Sequence, residues 1–155
     1  MQRNVKMMIG ILLCLFTGSI HAEKNPADKI IGTYFIYEES TNQKSKVKIF
    51  KNSEGKYDAQ VIWMDQPNMP DGTPKKDFKN PKPELRNGRA DRIVIVQGLV
   101  YNPKTLEWEG GKVYNPLNGK YYKGYMEFID AKKLKVRGYL GIALLGKTIY
   151  WEKIE

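Results

Sequence analysis

The sequence predicts an all-β protein, a single eight-stranded antiparallel up-and-down barrel. Apolar and polar residues alternate with period two along eight short segments, and no helical period of useful length occurs. Turn chemistry separates most of these segments, and short connections imply antiparallel neighbours. Eight such strands can close on themselves and leave no exposed edge; a half-open roll or a sandwich is the alternative.

The predicted strands are Lys29–Glu38, Ser45–Lys51, Lys56–Asp65, Arg92–Tyr101, Leu106–Asn115, Lys120–Ile129, Lys133–Gly141 and Lys147–Ile154. In the second, Val47 and Ile49 alternate with Lys46 and Lys48, and Ser53–Gly55 then supplies a turn. Asn102–Thr105 and Asn115–Gly119 are the turns on either side of the fifth strand. Tyr122, Gly124, Met126 and Phe128 share one face of the sixth strand, and Leu134, Val136, Gly138 and Leu140 share one face of the seventh. These inward rows are bulky. A barrel of this size has room for its own side chains or for one small ligand.

Gln66 to Asp91 has no strand period and is rich in Pro, Asn, Asp and Lys. A loop of that length in a small domain is uncommon and often functional. Pro67–Lys76 reads as a mobile tip, whereas Asp77–Arg89 reads as an ordered segment lying across the barrel.

Residues 1–22 read as a signal peptide and 23–155 as the barrel domain. Arg3 and Lys6 precede the apolar run Met7–Phe16, and Ala22 ends the segment. The run is too short to span a bilayer, which takes about 20 apolar residues. The expected location is therefore secreted, in the periplasm, with no transmembrane segment after cleavage. Cleavage would remove Cys14 and His21, the one cysteine and the one histidine of the chain. The mature domain would then have no disulfide, thiol nucleophile, imidazole base or ordinary zinc site. No cofactor, metal ligand or catalytic residue is assigned.

The formal charge of the chain is +9. Without Arg3 and Lys6 of the signal peptide the exported domain would carry two charges fewer, and that basic excess faces lipid head groups and wall polymers, so nucleic acid is not an expected partner. Scattered lysines also serve solubility alone.

Several motifs stand in a fixed order. They are Gly32-Thr-Tyr, KVKIF and EGKYDAQVIWMD within Lys46–Asp65, DFKNPKPELRNGR at Asp77–Arg89, WEGGKVYNPLNGKYY at Trp108–Tyr122, VRGYLG at Val136–Gly141, and the closing GKTIYWEK. In order and spacing the chain resembles the family called domain of unknown function 2147, secreted bacterial proteins. The resemblance implies a lipocalin-like (calycin-like) barrel and carries over no catalytic residue. Two departures stand out. The family usually has Trp where this chain has Tyr34, and Arg86-Asn-Gly-Arg89 lacks the family's proline. The resemblance also implies that a late-strand arginine, here Arg137, stacks on the early aromatic Tyr34, with a cation–π contribution of about 0.5–2 kcal/mol.

The candidate ligand-binding residues are Trp108, Arg137, Tyr139, Asp77 and Arg86. Trp108 either caps the core or offers a stacking platform. Arg137 either stacks within the barrel or clamps an anion with its planar fork. Asp77 and Asn80 either satisfy loop N–H groups, with Arg86 on a carboxylate, or form a polar rim at the mouth. Gly110 and Gly111, next to Trp108, are structural candidates for a bulge or a close backbone approach, alongside Tyr34. Ile142-Ala-Leu-Leu145 replaces a polar turn with apolar residues. Ile142, Leu144 and Leu145 either plug one barrel end or contact an envelope protein.

Three functions follow. The chain is a non-enzymatic module of the cell envelope that binds a small amphipathic or anionic ligand, a structural or protein-interaction module with a filled barrel, or a carboxylate-based glycan hydrolase. The last requires two acids about 5–10 Å apart, and no spacing in the sequence selects a pair from the several available.

Overall fold

A computed structural model describes residues 25–141, 144 and 146–155. The expected signal peptide lies outside the described residues. Eight antiparallel strands form a closed barrel in simple sequence order: β1 (Gly32–Glu38), β2 (Gln43–Lys51), β3 (Tyr57–Met64), β4 (Val94–Asn102), β5 (Glu107–Asn115), β6 (Lys120–Phe128), β7 (Lys133–Tyr139) and β8 (Gly146–Lys153). The predicted architecture holds, and strand boundaries agree closely except at the start. There Pro26–Ile30 forms a 3-10 helix, so residues 29–31 are not part of β1. Asn25 accepts from the Ala27 N–H as a cap, and Pro26 opens the helix with a preset φ.

Each strand pairs with its neighbour in sequence, with register shifts between β2 and β3, β3 and β4, and β5 and β6, and the seam between β1 and β8 is the shortest. Only Tyr34↔Lys153 and Phe35↔Glu152 face each other there. The seam is extended by Thr33 donating to the Glu155 carbonyl at 3.0 Å and accepting from Ile154 at 2.9 Å.

The core fills one half of the barrel. Tyr34, Ile49, Tyr57, Leu99, Trp108, Met126, Leu134 and Trp151 are buried there, with Ile30 of the 3-10 helix beneath them. Three aromatic side chains hold that helix in place as a plug. Tyr34 Oη donates to the Ile30 carbonyl at 2.7 Å, Trp108 Nε1 to the Ala27 carbonyl at 3.0 Å, and Tyr57 Oη to Asp28 Oδ1 at 2.6 Å. Each bond lets a large ring be buried without stranding its polar atom. Lys153 completes the seal, donating to the carbonyls of Lys29 and Ile31 at 2.7 and 2.8 Å.

Gly110 and Gly111 answer to both sequence readings. Gly110 sits at φ +79° within a register shift between Trp108 and Gly111, the signature of a bulge. A Cβ on Gly111 would lie 2.5 Å from the Gln97 carbonyl oxygen and 2.8 Å from the Leu99 nitrogen, both backbone atoms of β4. The bulge is what lets Trp108 and Val113 both reach the interior from one strand. Gly111→Ala must therefore push β4 and β5 apart. It is expected to destabilise the barrel by about 1–3 kcal/mol, the usual penalty of overpacking, read as a lower thermal midpoint with an unchanged β-type circular-dichroism spectrum.

Candidate functional site

Above the core the barrel is hollow. A cavity of about 750 Å³ opens at the end opposite the 3-10 helix. Of the two interiors that the sequence leaves open, side chains alone or room for a small ligand, the hollow one is present. Alternation identifies the inward side of each strand, but whether a row of Val and Ile meets its opposite row depends on barrel width. That volume lies within the range of small-molecule sites, about 300–1,000 Å³.

The cavity is graded from floor to mouth. Trp151 and Val47 make the floor, while Ile36, Ile95, Val113, Val136 and Ile149 line the walls. Polar side chains gather toward the mouth, where Glu38, Gln43, Asn115, Asn118 and Lys147 stand. Among the described lining residues Lys147 is the one cation and Glu38 the one carboxylate. They pair with each other, Lys147 Nζ lying 3.2 Å from Glu38 Oε1. Burial pushes the Glu38 carboxyl up, but hydrogen bonds from Ser40 and Lys147 outweigh it and hold the group below the usual carboxylate range. The cavity is thus an apolar chamber under a mixed polar rim, and its one cation already has a counter-charge.

The long loop is folded against the barrel beside this rim. Its first half carries its own turn, in which Met69 donates to the Thr73 carbonyl at 2.8 Å and Asp71 Oδ1 accepts from the Thr73 N–H at 2.9 Å. The second half is anchored by Asp77, which is buried. Asp77 accepts from Tyr114 Oη at 2.6 Å and from Asn80 Nδ2 at 2.7 Å, while its own N–H donates to the Gly88 carbonyl. Lys79 Nζ reaches the Leu117 carbonyl at 2.6 Å, tying the loop to the β5–β6 turn, which itself lines the cavity. The loop therefore holds one side of the mouth in place.

Of the five candidate ligand-binding residues, Tyr139 lines the cavity and the other four do not. Trp108 is buried in the sealed half, edge-on to Phe128 and hydrogen-bonded to Ala27. Asp77 anchors the long loop. Arg86 donates from Nε to the Asn80 carbonyl at 2.8 Å and not to a carboxylate. Arg89 instead takes Asp91 with two bonds of 2.9 and 2.8 Å. Arg137 donates to Thr148 Oγ1 at 2.6 Å on the face of β7 opposite Val136. The cation over the Tyr34 ring is Lys153, with Nζ 5.8 Å from the centroid, so Lys153 and not Arg137 holds the stacking position at the closed end. Burial pushes the Lys153 ammonium down, and the neighbouring Lys29 adds to the effect. Leu144 is 82% exposed and does not plug the barrel; Ile142 and Leu145 lie outside the described residues. Sequence reasoning missed Lys153 and Trp151. Both follow Ile149 at period two on the inward side of β8, a signal legible in GKTIYWEK.

A closed eight-stranded barrel, sealed at one end by a short N-terminal helix and hollow at the other, is a lipocalin-like architecture. The chain belongs to the DUF2147 family, described as an uncharacterized protein conserved in bacteria, whose model matches residues 32–153. It is also similar to a solved structure, the protein HP1028 from Helicobacter pylori, described as belonging to the lipocalin family. The two share 30% sequence identity with a TM-score of 0.64, over 81% of this chain and 82% of that one. No curated protein sequence matches the chain.

The loop anchor has a measurable signature at alkaline pH. Burial raises the Tyr114 phenol well above its ordinary value, and the hydrogen bond to Asp77 and the carboxylate charge raise it further. Burial also raises Tyr34 and Tyr121. Unfolded tyrosines ionise near pH 10, so the folded state holds these protons more tightly than the unfolded chain. The resulting stability is complete below about pH 10 and is lost as pH rises through the folded values. The thermal midpoint is expected to fall steeply above about pH 10, and less steeply in Tyr114→Phe. At neutral pH that variant is expected to lose about 1–2 kcal/mol for the missing bond to a buried carboxylate.

Proposed function

We propose that the protein is a non-enzymatic binding module that holds one small amphipathic molecule, with its apolar body in the chamber and its polar group at the rim. The observation that carries this reading is the open cavity itself, mainly apolar along its walls and more polar toward its mouth. The pairing of Lys147 with Glu38 favours an amphipathic ligand over a purely anionic one, because the cation at the mouth has a partner already. Enzymatic glycan cleavage gains no support. Glu38 is the one carboxylate among the described lining residues, and the two-acid mechanism needs a pair facing the same bond.

The similarity to a lipocalin-family structure supports a small-molecule role at the level of fold. We place the protein in the periplasm, on the basic start, apolar run and small-residue end of residues 1–22. A second reading, contact with an envelope protein at the mouth, is favoured by Leu140 and Leu144, which are 57% and 82% exposed beside the cavity.

The cavity reading is tested by fluorescence titration with 11-(dansylamino)undecanoic acid, an amphipathic probe. Saturable one-to-one binding is expected. Ile149→Trp, which fills part of the chamber from the β8 wall, is expected to weaken binding about tenfold or more while the protein still melts cooperatively. Equal affinity in the two proteins would place the probe on the outer surface and end the cavity reading. The export reading is tested by intact mass of the protein recovered from the periplasmic fraction of its host. A mass corresponding to residues 23–155 is expected, and a full-length cytosolic product would refute it.

A further inference from the structure

The outer face of β1, β2 and β3 joins unpaired cations to exposed rings beside the cavity mouth. Alternation sends Val47 and Ile49 into the core, so Lys44, Lys46 and Lys48 project outward from β2, and all three are exposed. On β1, Tyr37 lies opposite Lys44 and Phe35 opposite Lys46. On β3, Trp63 lies opposite Lys46, whose Nζ is 5.7 Å from an indole ring centroid. Tyr37 is 47% exposed and Trp63 42%.

None of these three ammonium groups has a carboxylate partner among the described residues. Lys51, Lys56, Lys135 and Lys147, by contrast, each meet an acid at 3.2 Å or closer. The two carboxylates that border the face are occupied by N–H donors. Asp65 accepts from the Lys44 backbone at 3.0 Å and from the Gln43 side chain, and Asp58 accepts from the Gly98 backbone at 2.7 Å and from Asn52 Nδ2 at 3.1 Å. The face also backs onto the mouth. Tyr37 stands between Ile36 and Glu38, Lys44 between Gln43 and Ser45, and Trp63 next to Met64, and all of these chain neighbours line the cavity.

We propose that this face docks the protein on an anionic lipid bilayer, with Lys44, Lys46 and Lys48 against headgroup phosphates and Tyr37 and Trp63 at the depth of the headgroups. Rings with one polar edge settle at the boundary between water and hydrocarbon, and lysines free of acids are drawn to an anionic surface. The docking is read from the face alone. Its purpose rests on the cavity reading above: the mouth is brought to the membrane, so an amphipathic molecule passes between bilayer and chamber with little exposure to water. That adjacency favours a bilayer over an acidic glycan, which would use the same lysines and rings but has no apolar body to deliver to the chamber.

The test is co-sedimentation of the full mature protein with vesicles of phosphatidylcholine alone and of phosphatidylcholine mixed equally with phosphatidylglycerol. Binding is expected to the mixed vesicles and not to the neutral ones. It is expected to weaken with salt, because the screening length falls from about 10 Å at 0.1 M to about 3 Å at 1 M. The triple variant Lys44→Gln, Lys46→Gln, Lys48→Gln is expected to bind the mixed vesicles at least about tenfold more weakly. Lys104→Gln, Lys112→Gln, Lys123→Gln removes the same charge from β5, β6 and the turn before β5, and is expected to retain most of the binding. Equal loss in the two triple variants would reduce the effect to net charge and overturn the proposal, as would no binding to the mixed vesicles. Trp63 reports on contact, because Trp108 and Trp151 are only 2% and 1% exposed. A blue shift of tryptophan emission on the mixed vesicles is expected and is expected to vanish in Trp63→Phe; a shift that persists would place the contact elsewhere and overturn the proposal. Alginate, a soluble acidic glycan, is the competing occupant, and tighter lysine-dependent binding to alginate than to vesicles would also overturn it. Loss of vesicle binding with the dansyl probe still bound would refute the docking alone. Vesicle binding without probe binding would leave the docking and remove the cavity reading.

Discussion

The sealed end of the barrel rests on three hydrogen bonds made by large buried rings to one short segment. Tyr34, Tyr57 and Trp108 come from β1, β3 and β5, and each ties its polar atom to the 3-10 helix at Pro26–Ile30. Without that helix the three donors would be buried with no acceptor, and the rings could not pack so deeply. With it, half of the interior is a dry, closed core. The chamber above exists because the rings below supply a floor, and the walls above are Val and Ile, too short to meet across the barrel axis.

Much of the architecture was legible in the residues because a half-buried strand declares itself by alternation. The turns at 53–55, 102–105 and 115–119 were legible for the same kind of reason, since Asn, Pro and Gly leave few backbone options. The beginning of the domain was harder. Lys29 to Ile31 continue the apolar pattern of β1, and the Asn25-Pro26 start that makes a helix of them is a two-residue signal beside a longer one. The candidate site was less legible still. Trp108 and the WEGG motif mark a densely constrained place, but the constraint is the bulge and the backbone contact at Gly111, on the sealed side. A conspicuous motif reported packing, whereas the open chamber takes its lining from several motifs at once, Val47, Val113, Val136 and Ile149 among them, and is marked by none of them singly.

The long segment between β3 and β4 shows how a polar sequence can become rigid without secondary structure. Asp77 binds a phenol, an amide and, through its backbone, a carbonyl across the loop, so the loop is fixed by side-chain chemistry on the outer surface of β5. Lys79 then joins the β5–β6 turn to the same loop. Gly88, within Arg86-Asn-Gly-Arg89, closes the loop back on its own start. The Gly88 carbonyl accepts from the Asp77 N–H, which holds the loop to its anchor.

Both chain ends of the described domain lie at the plugged pole. The 3-10 helix starts there, and Glu155 meets Thr33 across the seam. Anything attached to either terminus, whether a leader awaiting removal or a tether to a surface, would hold the molecule by its base. The opening would then face outward, away from the point of attachment, free to exchange its contents with whatever lies opposite.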